Sequence, residues 1–157
     1  MLTGKKLVMI LGCVLVGLIV NQARGADLFS DGFESGNFAT GGWTTQNSDA
    51  AVTTRSVYTG TYGAEAAKTT WIEKALSTAG YETIHVKYRR ETNRFDSGEY
   101  LYVEWYDGSS WNPLETVQNA DYGDGLQDKV CGSGADDNTG FRIRFRTNAD
   151  KVNEYAF

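Results

Sequence analysis

The chain has 157 residues, with 15 basic and 20 acidic side chains and one histidine. Three of the basic residues and none of the acidic ones lie in the first 26 positions, so residues 27–157 carry 12 basic against 20 acidic groups, a net charge of −8. That balance excludes general nucleic-acid binding, which needs cations to displace phosphate counterions, and the lone histidine excludes a histidine-rich metal site.

Lys5 and Lys6 precede an apolar run over residues 7–20. Its 14 residues suit a signal-peptide h-region and fall short of the roughly 20 needed to cross a bilayer. Asn21 and Gln22 end the run, and Ala23-Arg24-Gly25 places small residues at both cleavage-determining positions. The expectation is a helical signal peptide over residues 1–25, removed after Gly25. The product would work in the extracellular or periplasmic space and meet a membrane only transiently. Removal takes Cys13 and leaves Cys131 without an intramolecular disulfide partner.

Residues 27–157 suit one domain with one core. Strands are expected at residues 28–33, 51–57, 62–68, 71–76, 83–90, 99–106, 111–116, 126–131 and 141–147, separated by clusters of glycine, serine, threonine, asparagine and aspartate. Three of them alternate cleanly. Ile84, Val86 and Tyr88 alternate with His85, Lys87 and Arg89. Leu101, Val103 and Trp105 alternate with Tyr102, Glu104 and Tyr106. Phe141, Ile143 and Phe145 alternate with Arg142, Arg144 and Arg146. A period of two sets one apolar and one polar face on each strand. Asp107-Gly108 carries the hairpin turn signal. The expected fold is all-β, a two-sheet antiparallel jelly-roll sandwich. Ala156-Phe157 reads as the opening of an apolar strand, so a fragment, or a domain whose last strand is missing, is also expected.

Asp31-Gly32-Phe33-Glu34-Ser35-Gly36-Asn37-Phe38, then Trp43, then Tyr58-Thr59-Gly60-Thr61-Tyr62-Gly63, resembles the opening of secreted bacterial jelly-roll domains of the MAM and carbohydrate-binding-module type. The hairpin Trp105-Tyr106-Asp107-Gly108-Ser109-Ser110-Trp111 and the strand after Gly140 fit the same pattern. The resemblance implies a non-catalytic module that binds polysaccharide or a cell-surface glycan. It also implies a structural calcium ion held by Glu34, with Asp31 as a less certain partner. In such domains a second carboxylate comes from an Ile-Asp-Asp-Val-like stretch of the last strand, which would begin where this sequence stops. The cysteines of animal MAM domains are missing.

If the three alternating strands share a sheet, their polar residues form a basic, aromatic face. Aromatic rings cover the apolar faces of sugars, and arginine forks pair with carboxylates or sulfates. The candidate contacts are Arg144, Tyr102, Arg142, Lys87, Arg89 and Trp111. The alternative is a solvated face closed by cross-strand Arg–Tyr and Arg–Glu pairs. Catalysis finds little support: His85 lies mid-strand with no nucleophile motif beside it. Competing functional readings are a calcium-stabilised adhesion or protein-contact module of a larger secreted protein, and a fragment of a secreted hydrolase.

Overall fold

A computed structural model describes residues 7–11, 25–121 and 124–157, the first five by backbone alone. Each of the nine expected strands is present, shifted by a few residues at its ends. They are β2 (Ala26–Asp31), β4 (Ala50–Thr53), β5 (Gly63–Ala67), β6 (Thr69–Ala75), β7 (Ile84–Tyr88), β9 (Leu101–Tyr106), β10 (Trp111–Val117), β11 (Gln127–Val130) and β12 (Arg142–Asn148). Short strands that pattern reading missed are β1 (Leu7–Leu11), β3 (Thr44–Thr45), β8 (Thr92–Asn93) and β13 (Tyr155–Ala156). Two-residue strands give no periodicity to read. The residues expected to form the signal-peptide helix lie outside the described residues, except Leu7–Leu11, which is a strand, and Gly25, which is in neither helix nor strand.

One layer is a five-stranded sheet in the order β10-β9-β12-β6-β3. The other contains two ladders, β11-β7-β1-β2 and β4-β5-β13-β8. The stretch 84–93 joins them, since it carries first β7 and then β8. Lys68 stands between β5 and β6 with φ 52°, a left-handed turn that sends the chain from one layer to the other.

The inward residues of the alternating strands form the core. Ile84, Val86 and Tyr88 from one layer meet Leu101, Val103, Trp105, Ile143 and Phe145 from the other. Full burial of such a side chain contributes roughly 1.5–3 kcal/mol. Trp43 joins them, in ring contact with Phe29, Phe33 and Phe145. Phe33 holds φ 62°, unusual for a bulky residue, and Asp31 Oδ1 accepts its backbone N–H at 2.7 Å. Cys131 is buried, and burial, helped by the Asp136 charge, pushes its thiol up to about 12.

β10 carries a bulge between Pro113 and Glu115. Trp111 and Pro113 pair with the outward residues Tyr106 and Glu104, but after the register shift Glu115 pairs with inward Val103. The extra residue therefore turns Glu115 towards the core. There it accepts from Tyr88 Oη at 2.9 Å and from Arg90 Nε and Nη2 at 3.0 and 2.8 Å. Pro113 is tolerated because β10 is an edge strand with a bulge.

Candidate functional site

Strands β9 and β12 pair antiparallel along their length, so their outward residues sit directly opposite each other. Arg142 faces Tyr106, Arg144 faces Glu104 and Arg146 faces Tyr102. On the far side of β12, Arg144 faces Glu73 and Arg146 faces Trp71 of β6. The edge strand brings Trp111 beside Tyr106, with ring centroids 5.3 Å apart. The outer face of the five-stranded sheet is thus lined by tryptophan, tyrosine and arginine, with Glu73 and Glu104 between them.

The arginines are ordered by their neighbours. Arg144 and Arg146 donate through Nε to Glu104 Oε2 at 3.0 and 3.1 Å, and Arg146 Nη2 reaches Oε1 at 3.1 Å. Arg142 Nη1 donates to Glu73 at 3.1 Å. The Arg144 guanidinium carbon lies 3.8 Å from the Trp111 ring centre, Arg146 lies 4.0 Å from that of Tyr102, and Arg142 lies 5.3 Å from that of Tyr106. Burial pushes the Glu104 carboxyl up, but the Arg146 hydrogen bond and the two guanidinium charges outweigh it and hold the carboxyl below its ordinary value.

Of the six expected contacts, this face unites Arg144, Tyr102, Arg142 and Trp111. Lys87 and Arg89 are not part of it. Their strand β7 pairs with β11 and β1, in the other layer. Lys87 Nζ lies 3.4 Å from Asp128, which also meets His85 Nδ1 at 2.7 Å, and Arg89 lies over the Tyr58 ring at 3.9 Å. Alternation tells which residues of one strand share a face; it does not tell which strands share a sheet. Trp71 is ambiguous between core and surface in the sequence, and Glu73 gives no signal of its own, because Glu73 and Lys74 interrupt the apolar pattern of β6.

The two residues expected to hold calcium are engaged by N–H donors. Glu34 Oε1 accepts from Thr61 N and Tyr62 N at 3.1 Å each, and Oε2 from Thr61 N at 3.0 Å. Asp31 Oδ1 accepts from Phe33 N, and Oδ2 from Trp43 Nε1 at 2.9 Å. Each of these carboxylate oxygens faces a hydrogen-bond donor, whereas a calcium ion takes six to eight oxygens. Among the described residues, the acidic group with oxygens closest together is Asp96, Glu99 and Glu154. The Lys151 ammonium sits there already, 2.5 Å from Asp96 and 2.6 Å from Glu154. Three further aspartates in loops rich in acidic residues are paired within the fold: Asp124 with Arg90 at 2.7 Å, while Asp136 accepts from Thr83 N at 2.8 Å and Asp137 from Gly80 N at 2.7 Å.

No family model matches the chain, and no curated protein matches it. Among solved structures, it is similar in fold to a carbohydrate-binding module, TmCBM61, determined in complex with β-1,4-galactotriose. The TM-score is 0.58 at 13% identity, over 80% of this chain and 88% of that one. A second similar structure comes from work on promiscuous carbohydrate-binding modules of the β-sandwich superfamily. There the TM-score is 0.40 at 17% identity, over 86% of this chain and 61% of that one. The chain therefore has the antiparallel β-sandwich fold seen in carbohydrate-binding modules. No helix of the described residues is long and apolar enough to cross a membrane.

Proposed function

We propose that this chain is a non-catalytic carbohydrate-binding module whose ligand lies across the outer face of the five-stranded sheet. The observation that carries the reading is that Trp111, Tyr106, Tyr102 and Trp71 share with Arg142, Arg144 and Arg146 the sheet face away from the core, on two cross-strand rungs. Ring faces suit the C–H surfaces of sugars, and guanidinium forks suit their hydroxyl, carboxylate or sulfate oxygens. Salt bridges to Glu73 and Glu104 hold the arginines in place before a ligand arrives, which lowers the ordering cost of binding. The fold shared with a known carbohydrate-binding module supports the same reading.

The proposal includes export by the residue 1–25 signal, with a polysaccharide or cell-surface glycan outside the cytoplasm as the ligand. Affinity electrophoresis against a panel of neutral and acidic polysaccharides tests it. Retardation by at least one polysaccharide supports the reading, and free migration through all of them sinks it.

A further inference from the structure

The charges on the outer face of the five-stranded sheet do not cancel. Glu104 and Glu73 stand on either side of Arg144, whereas Tyr102 and Trp71 stand on either side of Arg146. Both carboxylates therefore lie on the Arg144 rung, and among the described residues of this face three arginines share them. Arg142 pairs with Glu73. Arg144 and Arg146 both draw on Glu104. The Glu104 carboxyl is held below its ordinary value, so it is ionised near neutral pH. Two guanidinium ions on one carboxylate leave one positive charge over.

Of that pair, Arg146 is the one open to a ligand: its side chain is 31% exposed, against 17% for Arg144. Its bonds to Glu104 run through Nε and Nη2, at 3.1 Å each, and so use one edge of the guanidinium. Nη1 has no partner among the described residues. With the second N–H of Nη2 it forms the end of the fork, a parallel pair of donors. The guanidinium carbon lies 4.0 Å from the centre of the Tyr102 ring, which fixes the plane in which that end points. A parallel donor pair matches two oxygens of one oxyanion, and such charge-assisted bonds are about twice as strong as neutral ones.

We propose that the ligand of this face is an acidic glycan, whose carboxylate or sulfate seats on the Nη1–Nη2 end of Arg146 while the sugar that bears it packs on Trp71, the ring on the neighbouring strand. The inference rests on the reading of this face as a glycan site and names the class of glycan. The hydroxyls of a neutral sugar satisfy the free donors but leave the surplus charge. An oxyanion satisfies both. The rest of the domain works against a polyanion: residues 27–157 carry a net charge of −8. General ion exchange is therefore repulsive, and an acidic polymer is retained only through a local site.

The test runs each acidic polysaccharide beside its own neutral form in affinity electrophoresis of the 157-residue chain: polygalacturonate beside its methyl ester, and dextran sulfate beside dextran. The first pair reads a carboxylate and the second a sulfate. The acidic member of whichever pair binds should retain the unaltered chain about tenfold more strongly than the neutral member, the ratio that about 1.4 kcal/mol produces. Arg146→Gln should abolish that preference. Arg146→Lys keeps the charge without the fork and should restore only part of it. Far-UV circular dichroism checks that both variants fold, and the comparison within a pair needs no variant. Equal retention by the two members, retention by neutral polysaccharides alone, or a preference unchanged in Arg146→Gln would each overturn the inference and leave the glycan-binding reading standing. Free migration through every acidic and neutral polysaccharide would sink both.

Discussion

The Arg144 guanidinium lies 3.8 Å from the centre of the Trp111 ring, and its Nε is held at 3.0 Å by Glu104. An exposed arginine would sample many rotamers. This one, on the central strand β12, is fixed between a ring on the edge strand β10 and a carboxylate on β9, so its remaining hydrogen-bonding capacity is presented in one orientation.

Removing that arginine should affect ligand more than fold. Arg144→Ala or Tyr102→Ala is expected to reduce polysaccharide retention by about tenfold or more, the range for loss of an aromatic or arginine contact at a binding surface. Both variants should keep the far-UV circular dichroism of the unaltered chain. Undiminished retention in affinity electrophoresis would remove these residues from the site.

Arg90 should behave in the opposite way. It is almost fully buried and pairs with Glu115 and Asp124. Arg90→Met leaves Glu115 with only Tyr88 Oη at 2.9 Å and the Lys129 ammonium at 3.6 Å, and breaking one side of a buried pair costs about 3–5 kcal/mol. The urea midpoint should drop sharply. The double variant with Glu115→Leu should recover part of the loss.

Acid should weaken the fold through the same carboxylate. Burial pushes Glu115 up, but the Arg90 and Tyr88 hydrogen bonds and the Arg90 charge bring its net value below the ordinary 4.5. Glu104 is lowered in the same sense. A depressed folded value means that the stabilisation is fully present above the unfolded value and is lost as pH falls through the folded one. Tm should therefore hold near neutral pH and decline below about 4.5. Glu115→Gln should flatten that decline while lowering Tm at pH 7.

Glu34 offers a direct contrast between two roles. If its contribution is the clamp on Thr61 and Tyr62, Glu34→Ala lowers Tm by roughly 3–6 °C, the effect of losing charge-assisted hydrogen bonds at a partly solvated site. Differential scanning fluorimetry should give the same decrease in calcium and in EDTA. A loss seen only in calcium would assign the residue to an ion.

Cys131 should be inert while the domain is folded. Its thiol is buried and pushed up to about 12, so little thiolate exists near neutral pH. Reaction with a chromogenic disulfide at pH 8 should be slow in buffer and prompt in urea. A dimer linked through Cys131 should form only after unfolding.

The sequence alone determined the sandwich. Strict alternation at Leu101–Tyr106 and Arg142–Asn148 assigned core and surface residue by residue, because side chains on a strand have no choice but a period of two. It also carried the hairpin at Asp107, whose carboxylate caps Ser109 N and Ser110 N as the Asp-Gly turn requires. Only the tertiary structure decided which strands are neighbours. Pairing depends on which hydrogen-bonding edges meet, and a single strand's pattern contains no record of that. Lys87 and Arg89 therefore left the expected face, and Trp71 and Glu73 entered it. The bulge that turns Glu115 inward was likewise invisible, because one extra residue reverses a face without changing composition.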